Sequence, residues 1–373
     1  MKFIHLGDLH LGKRVNEISM IDDQKYILDK IIQIVNENNV KAVIIAGDVY
    51  DRQIPPQEAV CLLDDFLTKL NKLNVKCFII SGNHDSDERL AFGVNIFEKS
   101  GVYVSPVYDS TLKTVAIDDE YGKIDFVLMP FLRPAQVRRY YENVENETDT
   151  VKTVLENTQI NNNRKVLIAH QFVTYRGEKP EQCDSEVLSV GTLGGIDVDL
   201  IKDFNYVALG HIHGAQKIGY DHVRYSGSPL KYSFSEVNHK KSVPIIELDA
   251  DGKADIQLIP LKPKRDMRKI KGSLAEILSP KQGEKTDDYM HITLTDDAVM
   301  DAMSKVRSVY PNTMQVEFEN SQTKQLDIPV FISKNQLDLP KLFADFFDAQ
   351  NGQELSGEMI DFLKNTELYN EEG

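Results

Sequence analysis

Nine residues able to hold a metal or move a proton stand where apolar runs stop. Asp8 and His10 follow Lys2–Leu6, Asp48 follows Lys41–Ala46, and Asn83, His84 and Asp85 follow Val75–Ile80. His170 closes Lys165–Ala169, and His211 and His213 come after Phe204–Leu209. Carboxylate and amide oxygens suit hard divalent cations, while imidazole serves both as a ligand and as a proton carrier near neutral pH. In isolation each signal is weak: Gly82-Asn83 is also ordinary turn chemistry, and a lone His-x-His reads by default as two exposed turn residues. At a strand end, however, residues two apart face the same side, so His211 and His213 can enter one pocket.

Seven of these residues, Asp8, His10, Asp48, Asn83, His170, His211 and His213, exceed the four or five ligands of a single site and suit two adjacent cations sharing one carboxylate. Two metals about 3.5–4 Å apart can activate water while gripping a phosphoryl oxygen, so the chemistry inferred is hydrolysis of a phosphate ester. His84, one residue beyond a ligand, can approach the phosphate without binding metal, and Asp85 is expected to orient it.

The elements that must carry these residues follow from periodicity. Ile27, Leu28, Ile31, Ile32 and Val35 form a helical stripe within Ile18–Asn38, followed by the buried strand Val40–Ala46. Gln57–Leu73 repeats the helical pattern and leads into the strand before Asn83. Strand, helix and strand in close succession is the βαβ unit of a layered α/β domain. Irregular strands are expected over Val102–Met129, a helix over Thr148–Thr158, and alternating strands to about Leu261. In open α/β sheets ligands bind beyond the carboxyl ends of strands, which predicts one pocket built from five strand ends.

At 373 residues with 41% hydrophobic content, a large domain with smaller attachments is expected. The formal charge of -15 argues against a surface coated with nucleic-acid-binding charge. It is uneven: residues 271–373 carry 9 basic and 19 acidic side chains. Cys61, Cys77 and Cys183 are too few and too scattered for a disulfide or zinc framework. The N-terminal apolar stretch is too short for a signal peptide, and no run reaches the ~20 residues needed to cross a bilayer, so a soluble cytoplasmic protein is expected.

Asp8-Leu9-His10, Gly47-Asp48 with Asp51 nearby, Gly82-Asn83-His84-Asp85, His170 and Gly210-His211-Ile212-His213 together resemble the five motifs of the calcineurin-like metallophosphoesterases. The resemblance implies a β-sandwich flanked by helices. It also implies that Asp8, His10 and His213 hold one metal, that Asn83, His170 and His211 hold the other, and that Asp48 bridges them, with His84 and Asp85 as a catalytic dyad. A narrower resemblance, to the SbcD nucleases, is carried by Glu88-Arg89-Leu90 after Ser86, by Ala169-His170-Gln171-Phe172 and by the segment from Tyr225 to Glu236. It implies a manganese-dependent nuclease working with the ABC-type ATPase SbcC in DNA repair, recombination and replication. Such an enzyme is a 3′–5′ exonuclease on duplex ends and an endonuclease on single strands and hairpins. The protein is then a homodimer within a heterotetramer, associated with the nucleoid. Asp48-Val49-Tyr50-Asp51-Arg52-Gln53 departs from the Arg-Gly continuation of protein Ser/Thr phosphatases. A phosphodiesterase for small-molecule or cyclic-nucleotide substrates is the alternative left by the core motifs. A non-catalytic scaffold on the same fold should have lost ligands, and none is missing.

Four segments are expected: residues 1–261 as the metallophosphoesterase domain, 262–287 as a basic linker, 288–336 as a small α/β capping domain that holds DNA, and 337–373 as helices docking on the SbcC coiled coil. Lys262–Lys271 has six basic side chains in ten and, like Arg133, Arg138 and Arg139, could touch DNA phosphates. Leu339, Leu342, Phe343, Phe346 and Phe347 lie at helical spacing among acidic residues, the pattern of a helix that docks in a groove. His291, inside a strand, is expected to be structural.

Overall fold

The apolar runs become strands buried on both faces, which is why they are continuously hydrophobic rather than alternating. In the computed structural model, which describes residues 1–186, 194–279, 286–296 and 299–319, the chain forms β1 (Lys2–Leu6), β2 (Ala42–Ala46), β3 (Lys76–Ile80) and β4 (Val102–Val104). It continues through β5 (Lys113–Asp119), β6 (Gly122–Met129), β7 (Arg164–His170), β8 (Tyr206–Gly210), β9 (Gln216–Ile218) and β10 (Tyr220–Tyr225), then returns as β11 (Ser242–Leu248) and β12 (Ala254–Pro260). The first six-stranded sheet has the order β12-β11-β1-β2-β3-β4, with β1 to β4 parallel and β11 and β12 antiparallel. The second has the order β9-β10-β8-β7-β6-β5, parallel in its middle and antiparallel at both edges.

The sheets share one interior. Along β2, Ala42, Ile44 and Ala46 join the cluster between the sheets, while Val43 and Ile45 join the cluster beneath the helices, as a period of two requires. Phe78 stacks on Phe126 with centroids 4.2 Å apart, and Phe3 meets Phe126 and Tyr206 edge-on at 5.8 and 5.7 Å. Outside the first sheet lie α1 (Ile21–Glu37) and α2 (Gln57–Lys72), held through residues such as Ile27, Ile31, Leu63 and Phe66. Against the second lies α3 (Glu147–Glu156), held through Val151 and Val154. The helices expected over Ile18–Asn38, Gln57–Leu73 and Thr148–Thr158 are present, each within a few residues of its sequence-based bounds.

A third, three-stranded sheet is wholly parallel: β13 (Met267–Gly272), β14 (Tyr289–Leu294) and β15 (Thr313–Phe318), with α4 (Ala302–Arg307) between the last two. Its own core contains Ile277, Met290, Ile292, Leu294, Val306 and Tyr310. Here the sequence-based linker needs correcting, because β13 and a helical turn at Leu274–Ile277 lie within residues 262–287. The basic density that suggested a connector is that of an edge strand, where exposed Lys269 and Lys271 are tolerated and discourage pairing with another chain. The segment 337–373, and with it the docking helices, lies outside the described residues.

Candidate metal centre

All seven sequence-based ligands come together at the carboxyl ends of five strands, three from the first sheet and two from the second. Asp8 and His10 leave β1, Asp48 leaves β2, Asn83 leaves β3, His170 ends β7, and His211 and His213 leave β8. The sheets must approach closely for this to happen. A Cβ on Gly210 would lie 1.8 Å from the carbonyl oxygen of Ala46, so only glycine lets β2 and β8 meet. Asp8, His10, Asp48 and His211 have φ of 53°, 44°, 48° and 105°. Such conformations cost about 1–3 kcal/mol each and persist where the surrounding structure imposes them.

The donor atoms converge to within hydrogen-bond or ion-pair distance of one another. His10 Nε2 and His213 Nε2 are 3.1 Å apart, and Asp48 Oδ2 lies 3.6 Å from His10 Nε2 and 3.4 Å from His170 Nε2. Asn83 Oδ1 is 3.1 Å from His170 Nε2 and 3.0 Å from His211 Nδ1. Asp8 accepts the His211 amide at 2.8 Å through Oδ1, while its buried Oδ2 has no hydrogen-bond partner. Donor atoms of Asp8, His10 and His213, and separately those of Asp8, Asp48 and His170, lie within 4.8 Å of one another.

Electrostatics make the cluster incomplete by itself. Asp8 and Asp48 are buried, and among the described residues neither is paired with a lysine or arginine. Burial, reinforced by the Asp48 charge, pushes the Asp8 carboxyl up to about 7. Burial opposes ionisation of Asp48 as well, but His170, His10 and His84 hold its carboxyl well below the usual range. Burial takes His10 to about 4 and His211 to about 3; it is overcome at His170, which the charge of Asp48 carries up to about 9, and at His213, which Glu236 raises. Buried carboxylates facing imidazole nitrogens, with the orphaned Asp8 Oδ2 among them, form a donor set that fits divalent cations.

His84 is partly exposed, its ring 4.9 Å from that of His10. Its amide donates to Asp48 Oδ1 at 2.9 Å, and its Nδ1 lies 3.2 Å from the carbonyl oxygen of Asp51. The expected pairing of Asp85 with His84 is not what the structure has. Asp85 is buried, and its oxygens accept the amides of Val49, Tyr50 and Gly82 at 3.0, 2.9 and 2.9 Å. Three unpaired amides in adjoining turns compete for the carboxylate and win, so Asp85 ties the β2 loop to the β3 loop instead of orienting the imidazole.

Several supporting residues escaped the sequence reading. Gln24 on α1 donates to the carbonyl oxygens of His10 at 2.7 Å and Leu9 at 3.3 Å and accepts the Gly12 amide at 3.0 Å, clamping the loop that carries the first two ligands. Tyr232 reinforces it with a 2.5 Å bond to the Leu9 carbonyl oxygen. Glu236, Lys241, Ser185 and Glu186 lie behind His213. A polar residue among the buried positions of α1 was the available signal for Gln24, and the segment ending at Glu236 was noticed without a role. Beside Asn83, a 460 Å³ cleft is lined in part by Gln53, Phe131, Arg133 and Gln136. Arg133 is exposed and lies 5.6 Å from the Phe131 ring centroid, while Arg138 and Arg139 are exposed just beyond. His291 faces Glu317 at 3.1 Å in the third sheet, away from the centre.

Residues 1–215 match the family model described as calcineurin-like phosphoesterase. Residues 263–351 match one described as a type 5 capsule protein repressor C-terminal domain. A curated relative, the SbcD subunit of the SbcCD nuclease of Staphylococcus epidermidis, is 32% identical over 378 aligned positions, covering 98% of this chain and 97% of that protein. Among solved structures, TT1561 of Thermus thermophilus aligns at TM-score 0.36 and 10% identity, covering 69% of this chain and 98% of that one. A dimetal phosphatase from Danio rerio aligns at TM-score 0.37 and 12% identity, covering 70% and 99%.

Proposed function

Because the chain belongs to the calcineurin-like phosphoesterase family, and within it aligns almost end to end with the SbcD subunit of an SbcCD nuclease, we propose that it is the nuclease subunit of an SbcCD complex, hydrolysing DNA phosphodiester bonds with two divalent metal ions. The observation that carries the site reading is the convergence of seven oxygen and nitrogen donors, six buried and Asn83 half-buried, without a lysine or arginine pairing the Asp8 or Asp48 carboxylate among the described residues. In this reading Asp8, His10 and His213 hold one ion, Asn83, His170 and His211 hold the other, and Asp48 bridges. When bound, the ions, manganese by preference, polarise the phosphoryl group and make water a competent nucleophile at neutral pH.

The chain's own residues supply the rest. With Nδ1 engaged at the Asp51 carbonyl, His84 offers Nε2 to a phosphate oxygen or to the departing oxygen, the position of a general acid. Asp85 acts on the reaction by holding the loops that carry Asp48 and Asn83 in register. Arg133, at the cleft mouth, can neutralise a DNA phosphate beside the scissile one.

On this reading the enzyme degrades duplex ends 3′–5′ and cuts single strands and hairpins, working on the nucleoid in the cytoplasm. Among the described residues no helix is long and apolar enough to cross a membrane. The domain scheme keeps 1–261 for catalysis, extends the DNA-holding capping module back to β13, and assigns 337–373 to SbcC. The separate family match over 263–351 begins close to the end assigned to the catalytic domain and runs across the 336/337 boundary. In the proposed homodimer, exposed apolar residues such as Ile54, Phe92 and Ile96 are candidates for burial between the two copies.

The test is manganese-dependent cleavage of end-labelled duplex and hairpin DNA, with and without SbcC and ATP, beside hydrolysis of bis-p-nitrophenyl phosphate. DNA cleavage extended by SbcC and ATP is expected. A chain lacking 337–373 should lose the SbcC complex and retain hydrolysis of the small ester. Hydrolysis of the small ester with no DNA cleavage by the full chain would reassign the substrate to a small phosphodiester.

A further inference from the structure

What stands behind the metal-facing imidazoles helps decide which ring nitrogen keeps its proton, and it differs in kind between the two halves of the centre. His213 turns Nδ1 toward Ser185 Oγ at 3.0 Å and Glu236 Oε1 at 3.5 Å, and Ser185 donates to the same Glu236 oxygen at 3.2 Å. Glu236 is fully buried. Lys241 Nζ donates to Glu236 Oε2 at 2.6 Å, and also to the carbonyl oxygen of His213 at 2.9 Å and to Ser228 Oγ at 2.8 Å. At His10 a carboxylate–lysine pair stands in the corresponding place, at contact distance and without a hydrogen bond to the ring. His10 Nδ1 lies 3.5 Å from Asp51 Oδ1, and Lys13 Nζ lies 2.7 Å from that oxygen.

Among the described residues the other half has no such pair. His170 directs Nδ1 to the backbone carbonyl of Ala46 at 2.8 Å. His211 directs Nδ1 to Asn83 Oδ1, a candidate ligand of the same ion, and among the described residues its Nε2 has no hydrogen-bond partner. A carboxylate behind an imidazole fixes its tautomer and raises its basicity as a ligand more than a neutral carbonyl does. The lysine on each carboxylate cancels the added negative charge, which lets the pair sit at the centre without a second uncompensated anion.

We infer that Glu236 with Lys241, and Asp51 with Lys13, are positioning pairs that make the Asp8–His10–His213 half the tighter of the two metal sites, so that the ions bind in a fixed order. The inference rests on the two-metal reading above and adds inequality and order to it. If the pairs served only to hold the fold, their loss would weaken both ions together or neither.

The experiment is a manganese titration of the full-length, chelator-stripped protein, with free ion followed by its electron paramagnetic resonance signal. The wild-type chain should show two classes of site. Glu236→Gln and Asp51→Asn should each weaken the tighter class by about 10–100-fold while the other affinity keeps its wild-type value. Should Glu236→Gln fail to fold, as judged by circular dichroism, Asp51→Asn decides, since Asp51 lies nearer the surface. Two equal classes in the wild type, or both affinities falling together or unchanged in a folded variant, would overturn the inference and leave the two-metal reading standing. Fewer than two ions bound by the wild type would overturn the two-metal reading and the inference with it.

Discussion

Individual residues at this centre are placed at a local cost. Asp8, His10, Asp48 and His211 all adopt left-handed backbone conformations, so the turns after β1, β2 and β8 are strained where they deliver ligands. Asp and His tolerate positive φ better than β-branched residues do, which makes ligand chemistry and turn geometry compatible at these positions. The division of labour between His84 and Asp48 is testable. His84→Gln should keep manganese occupancy close to wild type and lower turnover by about 10²–10⁴-fold, the range of a lost general acid. Asp48→Asn should weaken both ions, because the charge facing His10 and His170 is gone. Loss of metal in the first variant, or undiminished nuclease activity, would remove His84 from its proposed role.

At the scale of elements, the centre depends on how closely strand ends can approach. A Cβ on Gly82 would lie 2.1 Å from Asp48 Oδ1 and 2.4 Å from the Asp48 amide nitrogen. Gly82→Ala therefore has to push the β3 loop off the β2 loop, at a cost of about 1–3 kcal/mol as in other overpacked interiors. It should displace Asn83 as well, so urea unfolding and manganese affinity should both deteriorate. A variant with wild-type stability and metal binding would show that the loops accommodate the methyl group. α1 contributes in a different way, since one of its buried positions is Gln24, whose side chain bonds the carbonyls of Leu9 and His10. The helix thus packs the sheet and holds the metal loop with the same face.

Across the whole molecule, the third sheet is joined to the sandwich beside that clamp. Asp23, the neighbour of Gln24, is fully buried and receives Tyr289 Oη–H at 2.7 Å and the Arg265 guanidinium, whose Nε is 3.2 Å from Asp23 Oδ1. Met267 and Tyr289 also belong to the cluster beneath α1 and α2. The sheet and the ligand loop are thereby attached to adjacent residues of one helical turn. Tyr289→Phe removes a single hydroxyl from a buried carboxylate and should cost about 1–2 kcal/mol. Hydrogen exchange should report the loss at β14 and at the first turn of α1. Protection unchanged at α1 would mean that the attachment is mechanically silent.

The sequence by itself determined the strand and helix order, the five strand ends and the seven donors, because hydrophobic periodicity and ligand chemistry are local and survive in one dimension. It also placed His84 beside the candidate metal centre. It could not say what Asp85 does, since three backbone amides from separate turns claim that carboxylate only once the loops are folded together. Nor could it tell a basic linker from the edge strand Met267–Gly272, whose partner, β14, begins 22 residues after it does. The ion pairs behind His10 and His213 were equally hidden. Glu236 and Lys241 reach His213, and Lys13 reaches Asp51 behind His10, only because the packed sheets and their loops bring distant residues within hydrogen-bond range, and burial then requires each charge to find a partner.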